Sequence, residues 1–125
     1  MPPRILIADD RATMRNTLRN LITLYSKWDV CGEAVDGRQA VDAAIALNPD
    51  LILLDYKMPK NNGIEAASEI RGKLPNTPIV IFTLYKTDEL ESQARKAGVG
   101  AVIAKEEGVI KLLKTIEEQL NQSLI

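Results

Sequence analysis

Apolar residues fall in two rhythms along this chain: short unbroken runs, and longer stretches with spacings of three and four. The clearest run is Leu51-Ile52-Leu53-Leu54, set between Asp50 and Asp55. A strand that is apolar on both faces suits a parallel sheet covered on both sides, not a half-exposed hairpin. Ile5-Leu6-Ile7-Ala8, bounded by Arg4 and Asp9-Asp10, and Pro78-Ile79-Val80-Ile81-Phe82-Thr83 repeat the form. Val30 to Val35 predicts a weaker strand, and Val99 to Ala104 a further one tipped by Lys105.

Helical spacing fills the intervals. Met14, Leu18, Leu21, Ile22 and Tyr25 form one apolar stripe, with Arg11, Arg15, Asn16 and Arg19 off it and Asp10 placed to cap it. Ala40, Val41, Ala44, Ile45 and Leu47 mark a second helix, which stops at Asn48-Pro49. Asn61-Asn62-Gly63 is loop chemistry, followed by a small-residue helix through Ile64, Ala67 and Ile70 that ends near Gly72 and Pro75. A fourth helix runs from about Thr87 to Ala97 with Gly98 as a left-handed cap. The last runs from about Glu107 to Leu120, with Val109, Ile110, Leu113, Ile116 and Leu120 on one face.

Five strands alternating with five helices predict an α/β fold built on one parallel sheet with right-handed crossovers. The 125 residues read as a single domain, 1–125, with a core from about 4 to 120. No repeat, linker or low-complexity segment interrupts it.

Composition narrows the chemistry. Apolar content of 46% and charge of 26% are ordinary for a globular protein, and a net charge of -1 gives no general attraction to nucleic acid or anionic membrane. No apolar run approaches the roughly 20 residues of a membrane span, so the expected compartment is a reducing cytoplasm. The one cysteine, Cys31, excludes an internal disulfide and reads as a small strand or core residue rather than a reactive thiol. The absence of histidine removes Ser-His and Cys-His nucleophiles, imidazole metal ligands and any phosphohistidine carrier. Chemistry here must use carboxylates, lysines, hydroxyls and backbone groups.

Strands one, three, four and five end on Asp9-Asp10, Asp55, Thr83 and Lys105. Helical crossovers return the chain to the same side each time, so these tips share one edge, outside which such sheets place their ligands. Singly, each has an ordinary explanation: a helix cap, a turn acid, a strand threonine, a solvated lysine. Their coincidence at corresponding strand ends points instead to chemistry. Clustered carboxylates raise one another's pKa unless something positive sits between them. A hard divalent cation such as Mg²⁺ meets that need and offsets charge on a phosphoryl donor. Asp55 is then the covalent nucleophile, Lys105 a cation and Thr83 a hydroxyl donor for the phosphoryl oxygens.

The pattern Ile-Leu-Ile-Ala-Asp9-Asp10, Leu-Leu-Asp55-Tyr-Lys-Met-Pro59-x-x-x-Gly63, Pro-Ile-Val-Ile-Phe-Thr83 and Ala-Lys105 resembles the receiver domain of bacterial two-component response regulators, from about Arg4 to Leu120. The resemblance implies a doubly wound, flavodoxin-like sheet of order 2-1-3-4-5 with Asp55 as phosphoacceptor. It implies Mg²⁺, or Mn²⁺ in its stead, ligated by Asp10, Asp55 and the Lys57 backbone carbonyl, with Asp9 acting through water. The phosphodonor it implies is a sensor histidine kinase or phosphotransfer protein. Such a domain accepts a phosphoryl group without being a turnover enzyme. Its readout, or a homodimer, is expected on the face of the fourth helix, fifth strand and fifth helix, and this chain itself is expected to bind no nucleic acid or membrane.

Three positions depart from the family pattern. Val102 stands where receivers often carry Tyr or Phe, so either a smaller repacking carries the signal or Tyr85, two after Thr83, contributes. Glu106-Glu107-Gly108 replaces a common proline, which looks like receivers joined to helix-turn-helix output domains. Lys57, two after Asp55, is either a solvent-facing loop lysine or a modulator of phosphoryl lifetime. Among competing functions, a haloacid dehalogenase-type phosphatase wants a second acid where Lys57 stands. A nucleotide or flavin module wants a glycine-rich loop where Asp9-Asp10-Arg11 stands. A standalone or degenerate receiver serving as a dimerisation scaffold is the remaining alternative. The apolar ending Ser123-Leu124-Ile125 reads as a natural stop, a dimer contact or the edge of a longer regulator.

Overall fold

Alternate residues of the buried runs serve two different cores. In the computed structural model, which describes residues 1–123, the strands are β1 (Arg4–Ala8), β2 (Asp29–Ala34), β3 (Leu51–Leu54), β4 (Ile79–Thr83) and β5 (Ala101–Ala104). All pair in parallel in the order β2-β1-β3-β4-β5. The helices are α1 (Ala12–Tyr25), α2 (Gly37–Leu47), α3 (Gly63–Lys73), α4 (Asp88–Lys96) and α5 (Val109–Ser123). A 3-10 turn, Lys105–Glu107, stands between β5 and α5.

Leu6, Ile52, Leu54, Ile79, Ile81 and Val102 pack with buried residues of α2, α3 and α4 such as Val41, Ile70 and Leu90. Ile5, Ile7, Leu51, Leu53, Val80, Phe82 and Ile103 pack on the other face with Leu18 and Ile22 of α1 and Leu112, Ile116 and Leu120 of α5. Each such side chain contributes about 1.5–3 kcal/mol by leaving water. The doubly wound sheet is therefore what strands apolar at successive positions demand.

Local signals set the helix ends. Asn62 and Glu65 form a reciprocal capping box at α3, with 2.9 Å bonds in each direction. Asp36 caps α2 and Thr87 caps α4. Gly98, at φ 88°, follows α4 in the positive-φ region that a side chain resists.

Four expectations are corrected. Asp10 does not cap α1: Arg11 occupies that position without a side-chain bond, and Asp9 takes the Arg11 N–H instead. Tyr25, in the last position of α1, is 72% exposed. Ile110 is 82% exposed, because the inward stripe of α5 is Leu112, Ile116 and Leu120, and two residues before Leu112 lies the opposite side. The helix begins at Val109, since the residues before it wind as the tighter turn. Cys31 lies half-buried in β2, where burial raises its thiol pKa and disfavours the reactive thiolate. Leu124 and Ile125 lie outside the described residues.

Candidate functional site

The sheet's hydrogen bonding continues one residue past β1 and β3. Asp9 N–H donates to Ala34 O at 3.1 Å and Asp55 N–H to Ala8 O at 2.9 Å. Both acids are thus held by backbone at the carboxyl edge, and both are buried. Asp9 is further fixed by Arg15, whose guanidinium donates to its carbonyl at 2.7 Å. Arg15 is aimed in turn by Glu33 of β2, which also receives Arg19.

Lys105 opens the turn after β5, and its ammonium lies between the two acids. It is 3.0 Å from Asp9 Oδ2 and 3.2 Å from Asp55 Oδ2, with 6% of its side chain exposed. The other oxygen of Asp55 accepts the Tyr56 N–H at 2.7 Å. Thr83, fully buried at the end of β4, pairs in register with Ala104, and its hydroxyl accepts the Tyr85 N–H at 3.2 Å.

Asp9, Asp10 and Asp55 each bring a carboxylate oxygen within 4.8 Å of the others, Asp10 from an exposed position. Burial is the largest influence on Asp55 and raises its pKa; the Asp9 charge adds to this, while Lys105 and the Tyr56 N–H oppose it without prevailing. The buried Lys105 ammonium and the exposed Arg11 guanidinium, 3.8 Å from Asp9 Oδ1, stand against three acids and leave the cluster short of positive charge. An all-oxygen donor set with surplus negative charge fits a hard divalent cation.

Asp10, Arg11, Asp55, Lys57, Leu84 and Tyr85 line a cleft of about 210 Å³ over this cluster. The Lys57 ammonium stands 5.3 Å from the centre of the Tyr85 ring, so the loops after β3 and β4 meet across the mouth. Tyr85 is 48% exposed at this rim, whereas Val102 is buried beneath the sheet in the core shared with α4. A broader hollow along the outer side of α4 is lined by Asp88, Glu91, Ser92, Arg95 and Lys96, none of them buried.

Sequence reading did not place Arg11 or Leu84 at the cleft, and it noted Glu107 only within Glu106-Glu107-Gly108, not for its contact: its carboxylate accepts the Ala104 N–H at 2.8 Å. That bond and Lys86 hold the Glu107 pKa below the usual range. Arg11 directly follows the acid pair and Leu84 directly follows Thr83, and adjacency was the available signal.

A family model described as response regulator receiver domain matches residues 5–117. The transcriptional regulatory protein PdtaR of Mycobacterium tuberculosis is 39% identical over 117 residues, covering 94% of this chain and 56% of that protein. The chain thus spans little more than half the length of that relative. The chemotaxis protein CheY of Thermotoga maritima is 39% identical over 105 residues, covering 84% of this chain and 87% of that protein. A solved two-component response regulator of the LuxR family from Aurantimonas sp. SI85-9A1 superposes with a TM-score of 0.93 at 29% identity, covering 98% of this chain and 87% of that one. Sheet order, the strand-end residues and these matches agree: this chain belongs to the response regulator receiver domain family, whose function is phosphoryl transfer.

Proposed function

We propose that this chain receives a phosphoryl group on Asp55 from a sensor histidine kinase or phosphotransfer protein. The observation that carries the reading is the buried Lys105 ammonium, 3.2 Å from Asp55 Oδ2 and 3.0 Å from Asp9 Oδ2 below an open cleft. A carboxylate oxygen of Asp55 attacks phosphorus as the phosphorus–nitrogen bond of the donor's phosphohistidine breaks. The electron pair stays on the imidazole nitrogen, which takes up a proton, and Asp55 becomes an acyl phosphate.

Asp9, Asp10 and Asp55, with the Lys57 backbone carbonyl, would hold Mg²⁺ or Mn²⁺, which offsets negative charge on the incoming phosphoryl group. Lys105 gives up its bond to Asp55 and offers its ammonium to a phosphoryl oxygen. Thr83 spends an acceptor site on the Tyr85 N–H, which leaves the hydroxyl proton to donate. Moving a two-state element from almost all off to almost all on takes about 5.5 kcal/mol of differential stabilisation. New bonds from Thr83 and Lys105 are the source of that bias, and α4, β5 and α5 adjoin both residues. The exposed Ile110 on α5 supports this face as the contact for a partner or a second copy.

Intact mass after incubation with Mg²⁺ and acetyl phosphate tests the reading. Gain of one phosphoryl group, abolished by chelator and by Asp55→Asn, is expected. No gain in a folded, metal-bound protein would move the scaffold alternative into its place.

A further inference from the structure

A single carboxylate joins the loops that carry Thr83 and Lys105. Glu107 Oε2 accepts the Ala104 N–H at 2.8 Å and meets the Lys86 ammonium at 3.2 Å. Lys86 lies three residues after Thr83, between β4 and α4, and its ammonium is also 3.7 Å from Glu91 in the first turn of α4. Glu107 closes the turn that Lys105 opens. That turn is stitched at both ends, by Glu107 to the Ala104 N–H and by the Gly108 N–H to Lys105 O at 3.2 Å.

The backbone register of β4 with β5 ends at the Thr83–Ala104 pair. Past that point the Lys86–Glu107 contact carries the connection between the two loops in side chains. Both partners are part-sheltered, with side chains 27% and 34% exposed. A pair so placed adds little to the stability of the fold. Its Glu107 end is bonded to the backbone N–H directly before Lys105, whose ammonium reaches in to Asp9 and Asp55.

We propose that the Lys86–Glu107 pair is a strap coupling the carboxylate pocket to the loop after β4 and to α4. Glu107 is a positioning residue: it fixes the turn that aims Lys105, and through Lys86 it passes movement of that turn to residues 84–91. The proposal rests on Asp55 as the phosphoacceptor. When Lys105 leaves Asp55 for a phosphoryl oxygen, its turn shifts, Glu107 moves with it, and Lys86 draws the loop and the start of α4 along.

The test uses the whole chain as Lys86→Gln, Glu107→Gln, the double variant and Lys86→Arg. Glutamine at position 107 keeps an acceptor for the Ala104 N–H and removes the charge. Phosphoryl uptake from acetyl phosphate with Mg²⁺ is followed by intact mass, and amide hydrogen exchange is read at 84–91 and 104–107 in the same samples. Phosphorylation of the wild type is expected to alter exchange in both segments. In each glutamine variant the change persists at 104–107 and fades at 84–91, with uptake slowed about two- to fivefold, the scale of a partly exposed ion pair. The double variant is expected to be no worse than either single one, Lys86→Arg to restore both readouts, and thermal unfolding to stay unmoved. Wild-type uptake with variants indistinguishable in rate and exchange would overturn the strap alone. A wild type that gains no phosphoryl group would overturn the Asp55 reading and the strap's signalling role with it.

Discussion

The Lys105 ammonium lies 3.2 Å from Asp55 Oδ2, inside the sheet edge and almost shut off from solvent. It is the pocket's fixed countercharge, and Asp9 at 3.0 Å shares it. Removing one partner of a buried ionic set strands the other charges. Lys105→Met is expected to cost about 3 kcal/mol of stability, toward the lower end for a broken buried pair because Asp55, whose pKa burial already raises, can take up a proton. Added Mg²⁺ should restore more stability to this variant than to the wild type. Urea unfolding with and without Mg²⁺ checks both. A loss below about 1 kcal/mol, the size of an exposed pair, would show that Lys105 is not the countercharge.

Asp10 separates function from stability. It is exposed, yet its carboxylate completes the cluster with Asp9 and Asp55. Asp10→Asn is expected to leave metal-free stability unchanged or slightly raised, because one repelling charge is gone. The same substitution should abolish most of the stabilisation by Mg²⁺, which for a ligand at about 100 times its Kd amounts to about 2.7 kcal/mol. Thermal shift against Mg²⁺ concentration separates the two effects. A variant that still gains the wild-type shift would remove Asp10 from the metal site.

The strand-end acids were legible because the runs before them leave no choice of ending. Leu51 to Leu54 are all buried, and the next residue must sit at the edge. The ammonium of Lys105 between Asp9 and Asp55 was not legible, since it joins residues 96 and 50 positions apart and depends on how β1, β3 and β5 align. The facing of Ile110 was ambiguous for a different reason. Val109, Ile110, Leu112 and Leu113 crowd two adjacent stripes with apolar residues, and the periodicity alone does not say which turns inward. The Lys57–Tyr85 contact joins two loops that no local pattern relates.

Glu33 links pH to the backing of the pocket. Burial is the largest influence on its carboxyl and raises the pKa, but the bonds from Arg19 and Arg15 together outweigh it and hold the group below its ordinary value. A depressed carboxyl contributes stability that is present above the unfolded pKa and lost as pH falls through the folded one. Glu33→Gln is therefore expected to be less stable than the wild type at neutral pH, by up to about 1 kcal/mol. The gap should close below the ordinary carboxylate range. Because Arg15 also holds the Asp9 carbonyl, phosphoryl uptake should slow in the same variant. A stability gap constant from pH 7 to pH 3 would refute the linkage.

Gly63 is needed for close approach. Its N–H donates to Tyr56 O at 2.7 Å, and a Cβ there would run into the Asp55 carbonyl oxygen. Gly63→Ala is expected to cost about 1–3 kcal/mol, as overpacking does, and to slow phosphoryl uptake by shifting Asp55. Gly72 in the same helix has open space around it, so Gly72→Ala should stabilise by about 0.5–1 kcal/mol with uptake unchanged. Chemical unfolding of the pair, with uptake measured alongside, distinguishes backbone contact from helix propensity.

Lys57 and Tyr85 close part of the cleft through which water would have to reach the acyl phosphate proposed on Asp55. The ammonium stands over the ring at 5.3 Å, and both side chains line the cleft with Asp55 itself. Hydrolysis needs a water opposite the leaving carboxylate, and a side-chain pair held across the mouth lowers the chance of finding one there. Lys57→Asn removes both the charge and the reach, so dephosphorylation is expected to quicken. An exposed cation–π contact of about 0.5–1 kcal/mol limits the change to about two- to fivefold. Tyr85→Leu keeps an apolar wall but loses the ring face, and it should quicken hydrolysis by a similar factor. If the two residues act as one cover, the double variant will be no faster than either single one. Loss of phosphoryl mass with time after removal of the donor gives all three rates, and rates equal to wild type in both single variants would return Lys57 to the role of a solvated loop lysine.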